Sequence, residues 1–184
     1  MKLPGWLHNL IHNRTETQSI ALRPDRVILT GTLLPALAGP GRVLWIGCQA
    51  YTVPYYNMLE SRGGECWTLD LDPVSAAYGR EGRHVTGSLT DADRLFEPGF
   101  FDVVVCNGIF GWGVNTRDQR AQAMAAMAAI LRPGGILLMG WNNHKTDDPV
   151  GMASPAFARQ DLPGVPGHIT VPKSTHRYDV LAKS

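Results

Sequence analysis

Short apolar runs alternate along this chain with segments of helical patterning, and that alternation limits the fold more than any other feature. Repeated strand–helix–strand units form a parallel sheet with helices over both of its faces. The clearest run is Phe101-Asp-Val-Val-Val-Cys106, apolar except for Asp102. Such a run suits a strand covered on both sides, since a strand with one wet face would alternate.

The remaining elements are read from the same contrast. Pro24 to Leu37 is predicted as helix, weakened by Gly31 and Pro35, and a loop at Ala38-Gly-Pro-Gly leads into a first strand over Arg42 to Ile46. Thr52 to Ser61 is a second helix with Pro54 in its first turn, where proline is tolerated. Further strands are expected at Cys66 to Leu69, at His84 to Thr86 and at Ile136 to Met139. Asp91 to Leu95 reads as a short helical turn. Thr116-Arg-Asp-Gln119 forms a capping box for a helix that runs to Leu131 and ends at Pro133-Gly-Gly135. In the tail, Met152 to Arg159 is expected as a short helix, Ile169 to Val171 as a strand and Tyr178 to Ala182 as a last strand.

With 184 residues the chain fits a single domain, 1–184. Within it, 1–22 is an arm or lid, 42–141 the core and 142–184 a C-terminal loop with the last strands. Trp6, Leu7, Leu10 and Ile11 give the arm an apolar stripe. Seventeen Lys and Arg against 16 Asp and Glu leave a formal net charge of +1, which offers no electrostatic footprint for nucleic acid or an anionic membrane. No stretch has the length of a membrane span, and the first residues lack the apolar core of a signal peptide. Cys48, Cys66 and Cys106 stand far apart, so neither a zinc motif nor a disulfide framework is expected. No metal site is anticipated, and buried thiols point to a reducing, cytoplasmic compartment.

Open α/β sheets bind ligands outside the carboxyl ends of their strands. The first such loop is Gly47-Cys-Gln-Ala-Tyr51. It is not the nicotinamide fingerprint, because the next required glycine positions hold Gln49 and Thr52, and no P-loop is present. The second strand ends in Leu69-Asp-Leu-Asp-Pro73. A carboxylate there accepts both hydroxyls of a ribose, or else caps the following turn. Asp70, with Leu71 beside it, is assigned to the ribose and Asp72 to the cap.

Taken together, Val43-Leu-Trp-Ile-Gly-Cys48, Thr68-Leu-Asp-Leu-Asp-Pro73, Phe101-Asp-Val-Val-Val-Cys-Asn-Gly108 and Leu131-Arg-Pro-Gly-Gly-Ile-Leu-Leu138 resemble the class I S-adenosylmethionine-dependent methyltransferases. The resemblance implies a Rossmann-like three-layer sandwich with a seven-stranded, mostly parallel sheet whose last strand is antiparallel. It implies S-adenosylmethionine as cofactor, with the Gly47 loop under its methionine and ribose and with Asp70 on the ribose. Ser88 and Leu89 would border the adenine, and Asn107 and Gly108 the methionine side. The chain departs from the family where Gln49 and Tyr51 replace glycines, where Trp45 replaces an acid and where Ser88 replaces an aspartate. Gln49 and Tyr51 are then expected to contribute side-chain contacts.

Methyl transfer needs a nucleophile held in line and water excluded. Trp112, Tyr51, Tyr55 and Tyr178 are candidate aromatic faces for a sulfonium. His144, after the fifth strand, is a candidate base, because histidine changes charge near neutrality. Asn142 is a candidate hydrogen-bonding partner of the acceptor or of the cofactor's amino group. Near-minimal connections argue for a small acceptor, or for none beyond the cofactor. In that second reading the cofactor's own amine, held by Tyr178 and Asn142, closes an azetidine-2-carboxylate ring and releases methylthioadenosine. A third reading is a non-catalytic binding protein of the same fold.

Overall fold

Glycine- and proline-bearing turns punctuate the apolar runs, and the strands form between them. The structure, a computed structural model, describes residues 18–151 and 155–184. The apolar stripe of the N-terminal arm, Trp6 to Ile11, lies outside the described residues. Helix α1 (Pro24–Ile28), a π-helical segment (Leu29–Leu33) and α2 (Leu34–Leu37) follow one another directly. Pro35 has no N–H to give the carbonyl of Gly31, and the widened turn sits where that bond is missing. Strands β1 (Gly41–Ile46) and β2 (Gly64–Asp70) flank α3 (Val53–Glu60). Then come β3 (His84–Thr86), α4 (Ala92–Leu95), β4 (Phe101–Asn107), α5 (Arg117–Ile130) and β5 (Leu131–Asn142). Three further strands, β6 (Phe157–Arg159), β7 (His168–Thr170) and β8 (His176–Lys183), close the chain.

The sheet order is β3-β2-β1-β4-β5-β8-β6, with β7 also on β8. Pairing is parallel from β3 through β5, and β8 runs antiparallel to β5. The chain moves outward from β1 to β2 and β3, then returns to place β4 on the other side of β1. Strand order therefore reverses between β1 and β4, where such sheets bind ligands.

Burial alternates with the pleat. Leu44, Ile46, Val104, Cys106, Leu137 and Met139 face one core, packed under α5. Val43, Trp45, Val103, Val105 and Leu138 face the other, packed under α2 and α3. Helices thus cover both faces, giving the expected three layers. The capping box of α5 is also present, with Thr116 Oγ1 accepting from Gln119 N–H at 3.1 Å.

Two expectations change. The sheet has eight strands where the resemblance implied seven. The extra count comes from the short pieces β6 and β7, which pair with opposite ends of β8 and together cover its outer edge. The helix expected over Met152 to Arg159 is replaced in its last residues by β6, because the free edge of β8 takes Phe157-Ala-Arg159 as a partner. Residues 152–154 are outside those described. The Pro133-Gly-Gly135 turn lies inside β5 rather than before it: Phe101 pairs with Leu131 and Val103 with Ile136, so the residues between bulge out.

Candidate active site

The loop after β1 is fixed from the core by Trp45 and from the second loop by Asp70. Gly47 has φ +87°, and a Cβ there would stand 2.8 Å from Ile109 Cδ1, so glycine is required. Its carbonyl accepts the indole N–H of Trp45 at 3.0 Å. Trp45 thus props the loop from the core, with Tyr55 and Tyr56 rings 5.4 and 5.8 Å away. Cys48 donates its backbone N–H to Asp70 Oδ2 at 2.6 Å. Asp72 donates its own to Asp70 Oδ1 at 2.9 Å. Asp70 therefore locks the first loop to the second. Asp72 caps the next turn, accepting from Val74 N–H at 2.9 Å. Ser88 Oγ accepts from Thr90 N–H at 3.2 Å, fixing the turn that carries Leu89.

These loops surround a cavity of about 340 Å³ at the carboxyl edge of the sheet. Gly47, Gln49 and Tyr51 line it from the first loop, and Asp70 and Leu71 from the second. Ser88 and Leu89 line it from the third loop, and Asn107 and Gly108 from the fourth. Every position expected to touch the cofactor is thus brought to one cavity. Burial pushes the Cys48 thiol up to about 12, so this loop carries no thiolate nucleophile.

A second cavity, about 650 Å³, opens beside the first. Asn142 and His144 line it, together with Arg23, Asp25, Lys173 and His176. His144 is exposed at its rim, and Asn142 Oδ1 accepts from Thr175 Oγ1 at 3.2 Å. Tyr178 lines neither cavity. It is fully buried, and its hydroxyl donates to the Asp25 carbonyl at 3.0 Å, tying β8 to α1. Of the aromatic candidates, Tyr51, Tyr55 and Trp112 reach the first cavity.

Sequence reasoning missed Arg26 and His176. Arg26 lies in the helix before the sheet begins and lines both cavities. Burial is the largest influence on its pKa and lowers it, but Tyr178, Asp25, Tyr55 and Tyr51 together outweigh burial and raise it. Its nearest carboxylate is Asp25 at 3.6 Å. His176 is 4 % exposed and burial pushes its pKa down to about 4. Its Nδ1 lies 3.3 Å from Asn142 Oδ1, so Nδ1–H is the donor and Nε2 keeps its lone pair. The one available signal was register: His176 pairs with Asn142 across β5 and β8.

A parallel sheet with a cavity at its topological switch point defines a cofactor-binding α/β domain. The sequence of residues 44–139 matches a family described as "Methyltransferase domain". The chain belongs to that family, within the class I S-adenosylmethionine-dependent methyltransferases. No curated protein matches it by sequence. Among solved structures it is similar to a TehB-like S-adenosylmethionine-dependent methyltransferase from Corynebacterium glutamicum (19 % identity, 93 % of this chain and 100 % of that one, TM-score 0.65). It is similar to the PH0226 protein of Pyrococcus horikoshii (16 %, 87 % and 90 %, TM-score 0.67). It also resembles the N-methyltransferase NodS of Bradyrhizobium japonicum in complex with S-adenosylhomocysteine (13 %, 93 % and 98 %, TM-score 0.65). At these identities the structural likeness concerns the fold.

The first cavity fits S-adenosylmethionine. Asn107 Oδ1 is buried and has no hydrogen-bond partner among the described residues, an acceptor that suits an amino group. Asp70 spends one bond per oxygen on the backbone and each oxygen keeps further acceptor capacity for a ribose. A glycine at 140 makes room for Asn107, since a Cβ there would lie 2.0 Å from Asn107 Oδ1.

Proposed function

We propose that this chain transfers the methyl group of S-adenosylmethionine to a small molecule, with the cofactor in the first cavity and the acceptor in the second. The carrying observation is their common wall: Arg26, Gln49, Tyr51, Asn107, Gly108 and Trp112 line both. A cofactor held in one cavity and a nucleophile held in the other meet at that wall, which is what positional catalysis requires.

The bound sulfonium supplies an activated methyl carbon. The chain's own residues do the rest. Asp70 accepts ribose hydroxyls, and Asn107 Oδ1 accepts from the amino end. Tyr51 and Trp112 stand at the junction, with the Arg26 guanidinium over the Tyr51 ring and the Lys145 ammonium over that of Trp112. His176 Nε2, neutral at physiological pH because burial pushes its pKa down to about 4, accepts a hydrogen bond from the acceptor's nucleophilic group and orients it. His144, exposed at the rim, contributes less.

Incubating the full chain with S-adenosylmethionine and a small-metabolite extract tests this reading. Mass spectrometry should find S-adenosylhomocysteine and a product heavier by one methylene, with the rate falling more in His176→Asn than in His144→Asn. Methylthioadenosine formed from the cofactor alone would replace methyl transfer by ring closure. Native protein that leaves the cofactor untouched would mean a binding protein.

A further inference from the structure

Buried polar atoms without partners are scarce in folded proteins, and each one calls for an explanation. Among the described residues, Arg26 Nε and Nη1 and His176 Nε2 have no hydrogen-bond partner, and both residues line the second cavity, Arg26 on the wall it shares with the first. Charge is unbalanced in the same place. Arg23, Arg26 and Lys173 face Asp25 as the one carboxylate of the lining. The first cavity differs, with Asp70 and Asp72 in its wall and Arg26 as its one cation. The second cavity thus carries a local excess of positive charge that the first does not.

A neutral acceptor would leave Arg26 Nε and Nη1 buried without a hydrogen-bond acceptor, with Asp25 at 3.6 Å as the nearby carboxylate. An acceptor with a carboxylate or phosphate would supply planar or tetrahedral oxygens to a guanidinium, the pairing that geometry favours most. Tyr51 and Trp112, which carry Arg26 and Lys145 over their rings, add aromatic surface to the shared wall that suits edge contact with a flat ring attached to that group. Resting on the methyl-transfer reading above, we infer that the acceptor is a small, ring-bearing anion whose carboxylate or phosphate is held by Arg26 and Lys173. The acid group anchors the molecule, and the nucleophilic atom, elsewhere on the ring, is turned toward the shared wall beside His176.

Calorimetry with the full chain, free and saturated with S-adenosylhomocysteine, tests this with three probes: benzoate, phenyl phosphate and benzamide. Benzoate or phenyl phosphate should bind the loaded protein, and benzamide more weakly by about tenfold or more, the worth of a charge-assisted bond. Benzoate and phenyl phosphate compared with each other tell which acid group the site prefers. Arg26→Gln and Lys173→Gln should each weaken the better anion, and Lys173→Gln, whose side chain lines only the second cavity, should leave S-adenosylhomocysteine affinity near native. Equal binding of benzamide, or no binding of either anion, overturns the inference. So does a parallel loss of S-adenosylhomocysteine affinity in Arg26→Gln, which would put that guanidinium on the cofactor's own carboxylate. Native protein that binds the anions but not S-adenosylhomocysteine would sink methyl transfer and leave the anion site standing.

Discussion

The two cavities share a wall and differ in how complete they are. Around the first, polar groups are already paired: Asp70 holds two backbone N–H groups, Ser88 and Asp72 cap their turns, and Trp45 bonds the Gly47 carbonyl. Around the second, His176 Nε2 is buried without a partner among the described residues, and Arg26 and Asn107 hold their unpartnered atoms on the wall the two cavities share. A paired rim is a preformed site, rigid before the ligand arrives, and it sacrifices little on binding. An unpaired one stores an unmet demand that a ligand of the right polarity satisfies. In the proposed reading the same strand ends carry a general cofactor seat and a selective acceptor seat.

The largest test of that contrast falls on the residue beneath both cavities. Gly140→Ala puts a Cβ 2.0 Å from Asn107 Oδ1 and 2.9 Å from Tyr178 Cε1. Urea unfolding should show a loss of about 1–3 kcal/mol, the usual cost of overpacking. A smaller loss would mean that Asn107 moves freely and is not preset. Next comes pH. An unfolded histidine titrates near 6.5, whereas His176 in the fold titrates at about 4, so the unfolded chain binds the extra proton between those values. Stability present above pH 6.5 is therefore lost as the pH falls toward 4, by roughly 3 kcal/mol at most for this group. His176→Asn should flatten the native curve over that window; curves of the same slope would show that His176 is not buried neutral. The smallest effect is expected for Arg26→Gln without ligand. Truncating a guanidinium whose Nε and Nη1 have no hydrogen-bond partner among the described residues, and whose nearby carboxylate is Asp25 at 3.6 Å, should change stability by about 1 kcal/mol or less. A larger loss would reveal a structural role and erase the difference between the two rims.

Much of the first cavity was legible because it follows from local pattern. Apolar runs set the strands, the strand ends set the loops, and a βαβ arrangement brings Gly47, Asp70, Ser88 and Asn107 to one edge. The second cavity was not legible. Arg26 comes from a helix ahead of the sheet and His176 from the antiparallel strand at the far end of the chain; no short motif links them. The tail failed for a related reason. Phe157-Ala-Arg159 has no strong strand pattern, and the open edge of β8 decides its conformation. Tyr178 could be placed near the site by order along the chain, but only packing shows its hydroxyl turned to the Asp25 carbonyl.

Calorimetric titration of the full chain with S-adenosylhomocysteine tests the central claim most directly, that the preformed cavity seats the cofactor through Asp70. One molecule should bind per chain, and Asp70→Ala should weaken it by about a hundredfold, because the variant loses both the ribose acceptor and the bonds that hold the Cys48 and Asp72 loops. Native protein that binds no S-adenosylhomocysteine, or an Asp70→Ala variant that binds as well as native, would contradict the account.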